Sequence, residues 1–383
     1  MRRLVILTLV VFLSVVTYGQ QFIPLGLGAE KCERKGHGFQ PQMHIEGDVL
    51  YVCTNQGLYS KDLTSEESTW QLVGFKNVPL QDYVRKGGDI LALRYNVNGE
   101  FLLLSLDGGK TYEDVTYDIF KDSTYYVNLR SLVQHPSNPN TLLVSSLMGL
   151  FQSSDFGQTW SKLTDIRAGF TGYHPLNPEI IYESGESYSM LPYLNISYDS
   201  GQTWTYLQLD SPGDNCANRI AFHPVDPNRW IVGGYGIANL SYDIGHTWDT
   251  QIVSDALWRF AIYDDVESDI IYMAGRTNDK IEVMCSGDSG KTWNIPIAEP
   301  MKKSSTEVIY DLKQYDDKLL FYTESDVYVI SKAELRAKTT FVRSINTVMT
   351  GTSSGIYDLL GRRMTSQPTK GICIQNGKKI VCN

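Results

Sequence analysis

Four arginines carry the chemistry that this sequence most readily suggests. Arg85, Arg130, Arg219 and Arg259 each fall on or just before a short apolar stretch with strand character. Arg219 and Arg259 stand in equivalent places, each four residues before a ring, His223 or Tyr263. A guanidinium is a planar fork that grips a carboxylate or sulfate through two N–H groups, so several around one opening would hold an acidic ligand. The competing assignment is structural: each arginine pairs with a nearby carboxylate such as Asp89 or Asp264. Tyr125, Tyr126, Tyr173, Tyr188, Tyr193 and Tyr235 are the rings that would stack on a sugar or, equally, fill space between sheets.

Other chemistries find little support. His135, His174 and His223 each open a His-Pro-x-x-Pro segment ahead of an apolar strand. A metal needs several donors converging on one ion. One histidine per repeat points instead to a loop residue that recurs because its loop recurs. There is no C-x-x-C pair, no G-x-S-x-G elbow and no calcium loop, and Gly26-x-Gly28 lacks a strand–turn–helix setting. No metal, no cofactor and no catalytic residue is therefore expected. Cys32, Cys53, Cys216, Cys285, Cys373 and Cys382 suit an oxidising compartment without fixing a pairing. If Asn376-Gly377 is a two-residue hairpin turn, Cys373 faces Ile380 and Cys382 faces Gly371, too far apart to bridge.

The elements that position these residues follow from a repeat. S-x-D-x-G-x-T-[WY] recurs with its aspartate at Asp107, Asp155, Asp199, Asp243 and Asp288, at spacings of 48, 44, 44 and 45 residues. The motif ends in Tyr112, Trp160, Trp204, Trp248 and Trp293, and an imperfect copy runs from Ser60 to Trp70. Each copy follows an apolar stretch, so it lies on a turn between two strands. The aspartate accepts from the turn's own N–H groups, the glycine supplies a positive φ, and the indole anchors the next strand.

These residues resemble the Asp-box, or BNR repeat, found in sialidases, xyloglucan-specific endoglucanases, sortilin-type receptor domains and a photosystem assembly factor, all β-propellers. The resemblance implies an all-β fold. At about 45 residues per repeat, residues 22–338 accommodate a single seven-bladed β-propeller, with six blades as the alternative. Blades 214–254 and 256–299 are expected to be separate, and Phe22 to Leu27 to close the ring. In such a ring the repeated aspartates lie at the rim and serve structure. The four arginines lie on first, innermost strands, near the channel mouth. The Arg-Ile-Pro signature of sialidases is absent, and xyloglucanases build their cleft between two propellers where this chain has room for one.

Composition agrees. The chain has 383 residues, 42% of them apolar, a formal charge of −9 and a pI near 5.2. That balance argues against nucleic-acid binding through phosphate neutralisation. Residues 1–19 read as a signal peptide, with Arg2 and Arg3 ahead of an apolar run too short to span a bilayer. The expected organisation is a propeller over 20–335, a linker over 336–354 and a small C-terminal β-element over 355–383. That last element resembles the sorting-type tail of secreted Bacteroidetes proteins through Tyr357-Asp-Leu-Leu-Gly-Arg362 and Lys370-Gly-Ile-Cys-Ile-Gln-Asn-Gly-Lys-Lys379. The resulting expectation is a secreted or cell-surface monomer, periplasmic in transit, with no membrane span. It binds a glycan or an extracellular protein without catalysis, with glycoside hydrolysis as the alternative.

Overall fold

The computed structural model describes residues 22–36, 39–95, 101–116, 129–146, 148–165, 169–186, 192–209, 219–277, 280–300 and 308–338, with 356–357, 363–364, 371–375 and 378–382 of the tail. The expected signal peptide, Tyr125, Tyr126, Tyr188 and Cys216 lie outside them. The chain forms two compact units, Met1–Val342 and Arg343–Asn383.

The first unit is built from antiparallel sheets in which each strand pairs with the one before it. After β1 (Ile23–Pro24) and a single turn of helix, α1 (Ala29–Cys32), blade I comprises β2 (Met43–Glu46), β3 (Val49–Thr54), β4 (Gly57–Asp62) and β5 (Gln71–Gly74). Blade II is β6 (Leu80–Lys86), β7 (Asp89–Arg94), β8 (Phe101–Ser105) and β9 (Glu113–Asp114). Blade III is β10 (Leu129–His135), β11 (Asn138–Ser146), β12 (Gly149–Ser153) and β13 (Ser161–Thr164). Blade IV is β14 (Phe170–Tyr173), β15 (Ile181–Glu186), β16 (Pro192–Ser197) and β17 (Thr205–Gln208).

A seven-stranded sheet follows: β18 (Ala221–Phe222), β19 (Trp230–Gly233), β20 (Tyr235–Ser241), β21 (Asp249–Tyr263), β22 (Ile271–Arg276), β23 (Lys280–Ser286) and β24 (Asn294–Pro300). Blade V contains β25 (Ile309–Tyr315), β26 (Lys318–Thr323) and β27 (Val327–Ser331), with β1 as its fourth strand. The short helix α2 (Lys332–Lys338) ends the unit, running into the stretch expected to be linker.

The count of seven blades, or six, is therefore corrected. Among the described residues there are five four-stranded blades and one continuous seven-stranded sheet. The cause is β21. From Asp249 to Tyr263 the sequence has no glycine or proline to end a strand, whereas the preceding repeat carries Pro212-Gly213 at this point. One strand consequently pairs with β20 through its first half and with β22 through its second. The two halves of the sheet still pack on each other, with Ile231, Ala238 and Leu240 against Trp258, Ile271 and Met273.

Between blades the alternating apolar residues interlock. Leu91, Leu93 and Leu102 meet Leu132, Leu142 and Val144 across the II–III seam, and Tyr272 and Val283 meet Leu312 and Phe321 beside blade V. Cys32 and Cys53 belong to different seams, because Val52 and Cys53 are neighbours on β3 and point to opposite faces. Ring closure is noncovalent. Ile23 and Pro24 pair with Val329 and Tyr328, Leu27 donates its N–H to Asp326 Oδ1 at 2.9 Å, and Trp70 Nε1 donates to the Leu25 carbonyl at 2.9 Å. The indole of the imperfect repeat thus fastens the closing strand.

The five full repeats form nearly identical turns. In the copy at 241–248, Ser241 Oγ donates to Asp243 Oδ1 (2.9 Å), Gly245 N–H donates to Ser241 Oγ (2.9 Å), and Thr247 donates from its N–H to Oδ1 (2.9 Å) and from Oγ1 to Oδ2 (2.6 Å). Gly245 has φ +85°, and a Cβ there would lie 2.4 Å from the buried Trp230 ring. Trp160, Trp204 and Trp248 each donate Nε1–H to the carbonyl of the repeat's own glycine at 3.0–3.1 Å, while Trp293 reaches Gln251 Oε1 instead. Hydrogen bonds from the threonine hold the Asp107 and Asp199 carboxyls down at about 2.

In the second unit the strands β28 (Ile356–Tyr357), β29 (Arg363–Met364), β30 (Gly371–Gln375) and β31 (Lys378–Cys382) form one sheet in the order β29-β28-β30-β31. Its hairpin pairs Cys373 with Ile380 and Gly371 with Cys382, so the two cysteines are not opposed.

Candidate functional site

Innermost strands set the geometry of the mouth, and four of them share one defect. In β6, β10, β21 and β25 a buried apolar residue (Leu80, Leu129, Trp258 or Ile309) is followed by one extra residue that has no partner in the ladder. These extra residues are Gln81, Arg130, Arg259 and Tyr310. A bulge re-aims the side chain it carries. Arg130 and Arg259 therefore occupy one structural position, Arg130 at the leading end of β10 and Arg259 near the start of the half of β21 that pairs with β22. Leading ends neighbour leading ends: Gln42 N–H bonds the Gln81 carbonyl, Met43 N–H bonds Asp311 Oδ2, and Thr171 N–H bonds Ser131 Oγ. Trailing ends likewise meet, as Gln134 Nε2 bonds the Arg85 carbonyl and Gln314 Nε2 bonds the Tyr263 carbonyl.

The leading-end opening has two dissimilar sides. Around blade I residues 39–42 pack against it. Phe39 is fully buried between Tyr95 and the bulge residue Tyr310, with ring centroids 5.2 and 6.1 Å away. Gln40 N–H bonds the bulge residue Gln81 at Oε1. On this side the residues that follow the bulges, Asp82 and Asp311, are buried and occupied by donors. Asp82 accepts from its neighbour Tyr83 N–H and meets His44 Nε2 at 2.6 Å. Asp311 accepts from the N–H groups of Met43 and Leu312, with Lys313 at 3.3 Å.

On the other side Arg130 is exposed and makes no ion pair with a described residue. Arg259 is half-buried. Arg219, just ahead of β18, lies 5.3 Å over the Phe170 ring of blade IV and reaches Asp311 of blade V at 3.5 Å. Arg85 is set apart from these three. It lies at the trailing end of β6, bonded to Glu46 at 3.0 Å and stacked on Tyr51 at 4.4 Å. The structure thus brings three of the four arginines to leading ends and places the fourth elsewhere. Of the tyrosines, Tyr173 and Tyr193 are buried and Tyr235 is exposed.

The recurring histidines hold loops. Nδ1 of His174 accepts the N–H groups of Leu176 and Asn177, and Nδ1 of His223 accepts those of Val225 and Asp226. Burial lowers both pKa values, which keeps the rings neutral and Nδ1 able to accept. Asp264 takes the same place in the next repeat, accepting from Val266 and Glu267 while Arg336 of α2 reaches its other oxygen at 2.5 Å. Sequence reasoning did not foresee the bulges or the cover over blade I. The available signal was a break in apolar alternation at Leu80-Gln81-Asp82 and Ile309-Tyr310-Asp311.

Solved structures share this architecture. The GH74 xyloglucanase from Xanthomonas campestris superposes with a TM-score of 0.58 at 15% identity, covering 81% of this chain and 53% of that one. The chain is a β-propeller. The extracellular domain of the putative one component system BT4673 from B. thetaiotaomicron gives 0.56 at 12% identity, covering 81% of this chain and 40% of that one. YCF48 bound to D1 peptide gives 0.51 at 12% identity, covering 78% and 96%. This propeller chain spans about half the length of the xyloglucanase. At these identities the likeness is one of fold. No family model matches the sequence, and no curated protein does. No helix among the described residues is long and apolar enough to cross a membrane.

Proposed function

We propose that this propeller is an exported, noncatalytic binding module that takes a carboxylate- or sulfate-bearing glycan at the arginine side of its mouth. The observation that carries the reading is Arg130. It is an exposed guanidinium on a bulge, without an ion-pair partner among the described residues, and a second arginine, Arg259, occupies the corresponding bulge of another sheet. A bulge fixes where the side chain leaves the strand, so less freedom is lost on binding. Secretion is supported by the leader-like N-terminus and by an extracellular domain among the proteins of like fold. An acidic protein segment would satisfy the same forks, and one protein of this fold is described as bound to a peptide.

Glycoside hydrolysis is favoured by one observation only, the shared fold with a xyloglucanase. Hydrolysis needs two carboxyl groups roughly 5–10 Å apart on either side of a sugar. Asp82 and Asp311, the carboxylates at this mouth described above, are buried and held by donors. The test is a glycan array containing uronate and sulfated sugars, read with wild type and Arg130→Ala, alongside a reducing-sugar assay. Binding confined to acidic glycans and weakened by Arg130→Ala is the expected result. Release of reducing ends from a neutral glucan, with no acidic glycan retained, would replace this reading with the hydrolase.

A further inference from the structure

The seam between blades III and IV contains a group of buried polar atoms that the mouth does not use. Glu183 on β15 is fully buried, and neither carboxyl oxygen has a hydrogen-bond partner. Its cross-strand neighbour Asn195 on β16 is also fully buried, with both amide atoms unpartnered. Cross-strand partners point to the same face with Cβ atoms roughly 5 Å apart. That face looks toward blade III, where Tyr173 and Ile181 pack on Leu143 and Leu150. Orphaned buried polar atoms are rare, and each asks for a partner such as water or an ion.

The hydroxyls of Thr171, Ser131 and Ser145 have their protons committed elsewhere. Thr171, cross-strand from Glu183, donates Oγ1–H to the Tyr182 carbonyl at 2.8 Å. Ser145 donates to the Gly169 carbonyl at 2.7 Å, so Ser131 must donate to Ser145 across their 3.0 Å contact. These hydroxyls turn lone pairs inward, and the uncommitted protons left on this face are those of the Asn195 amide and the Tyr173 hydroxyl. Burial pushes the Glu183 carboxyl up to about 8; the amide of Asn195 beside it pulls the other way, and no charged described group offsets the burial. One carboxylate balances one positive charge, whereas a divalent ion would leave a buried surplus.

We infer that Glu183 and Asn195 hold a monovalent, oxygen-liganded cation, sodium or potassium, in the seam between blades III and IV. The side-chain oxygens of both residues are the first ligands, and the hydroxyl of Thr171, cross-strand from Glu183, supplies a further oxygen. Its ligands are residues other than the arginines.

Thermal unfolding of the full chain at pH 8 tests it, in sodium, potassium and choline chloride at equal ionic strength. Choline carries the same charge, and its fully alkylated nitrogen takes no oxygen ligands. Wild type is expected to melt about 2 °C or more higher in sodium or potassium than in choline. Glu183→Gln, which keeps the shape and removes the charge, is expected to melt above wild type in choline and to respond equally to all three salts. Sodium-23 line broadening by wild type but not by the variant is the second readout. Identical wild-type melting in the three salts overturns the inference whether or not the variant folds. So does a variant that keeps the preference for small cations.

Discussion

The rim and the mouth of this propeller obey opposite rules. At the rim five turns repeat the same four hydrogen bonds, and the Oγ1–H···Oδ2 bond varies only between 2.6 and 2.7 Å from copy to copy. At the mouth four equivalent bulges carry four side chains of which only two agree: Gln81, Arg130, Arg259 and Tyr310. Repetition marks what every sheet needs in order to turn its corner and seat against its neighbour. Divergence at a conserved geometry marks where the ring has been adapted locally. The covered side spends its bulges on buried contacts to Phe39 and Gln40, and on the other side the bulge residue Arg130 turns its charge toward solvent.

The largest effect that would sharpen this contrast is expected from Gly245→Ala. The added Cβ meets the Trp230 ring at 2.4 Å and the residue must keep a positive φ, so a loss of about 3 kcal/mol follows, measurable by denaturant unfolding. Asp155→Ala removes the acceptor for Thr159 N–H and Oγ1–H at 2.8 and 2.6 Å and should cost about 1–2 kcal/mol. If both variants unfold like wild type, the rim turns are ornamental and the comparison fails.

Acid unfolding reports on the same turns. The folded-state carboxyls of Asp107 and Asp199 titrate near 2, below the unfolded value of about 4. Their contribution is therefore present above pH ~4 and is lost as the pH falls toward 2. Asp107→Asn with Asp199→Asn should flatten the fall in stability across that window, followed by circular dichroism, and leave its slope at pH 7 unchanged.

The smallest stability effect belongs to the mouth. Arg130→Ala should shift unfolding by less than about 0.5 kcal/mol and weaken an acidic glycan by about tenfold. Arg85→Ala, at the trailing end and bonded to Glu46, should leave that affinity unchanged. Equal losses from the two variants would erase the distinction between the ends of the ring.

Much of the rim was legible because its bonds are local. Ser, Asp, Gly and Thr sit within six residues of one another, so spacing alone carries the turn, and the glycine and indole follow from φ and burial. The register of the tail hairpin was legible for the same reason, through Asn376-Gly377. The mouth was less so. Arg85 and Arg130 look alike in sequence, and only the bulge separates a leading-end residue from one four positions further along its strand.

What the sequence by itself determined is the repeating unit: alternating apolar strands, a self-bonded acidic turn and a closing segment near Phe22. What only the tertiary structure decided is how those units join and what they leave open. Asp249–Tyr263 became one strand because nothing within it stops pairing on either edge, which merged two expected blades. Phe39 covers one side of the mouth because Tyr95 and Tyr310, far apart in the chain, meet around it. Contacts between residues separated by tens to hundreds of positions depend on the closed ring, and no local pattern encodes them.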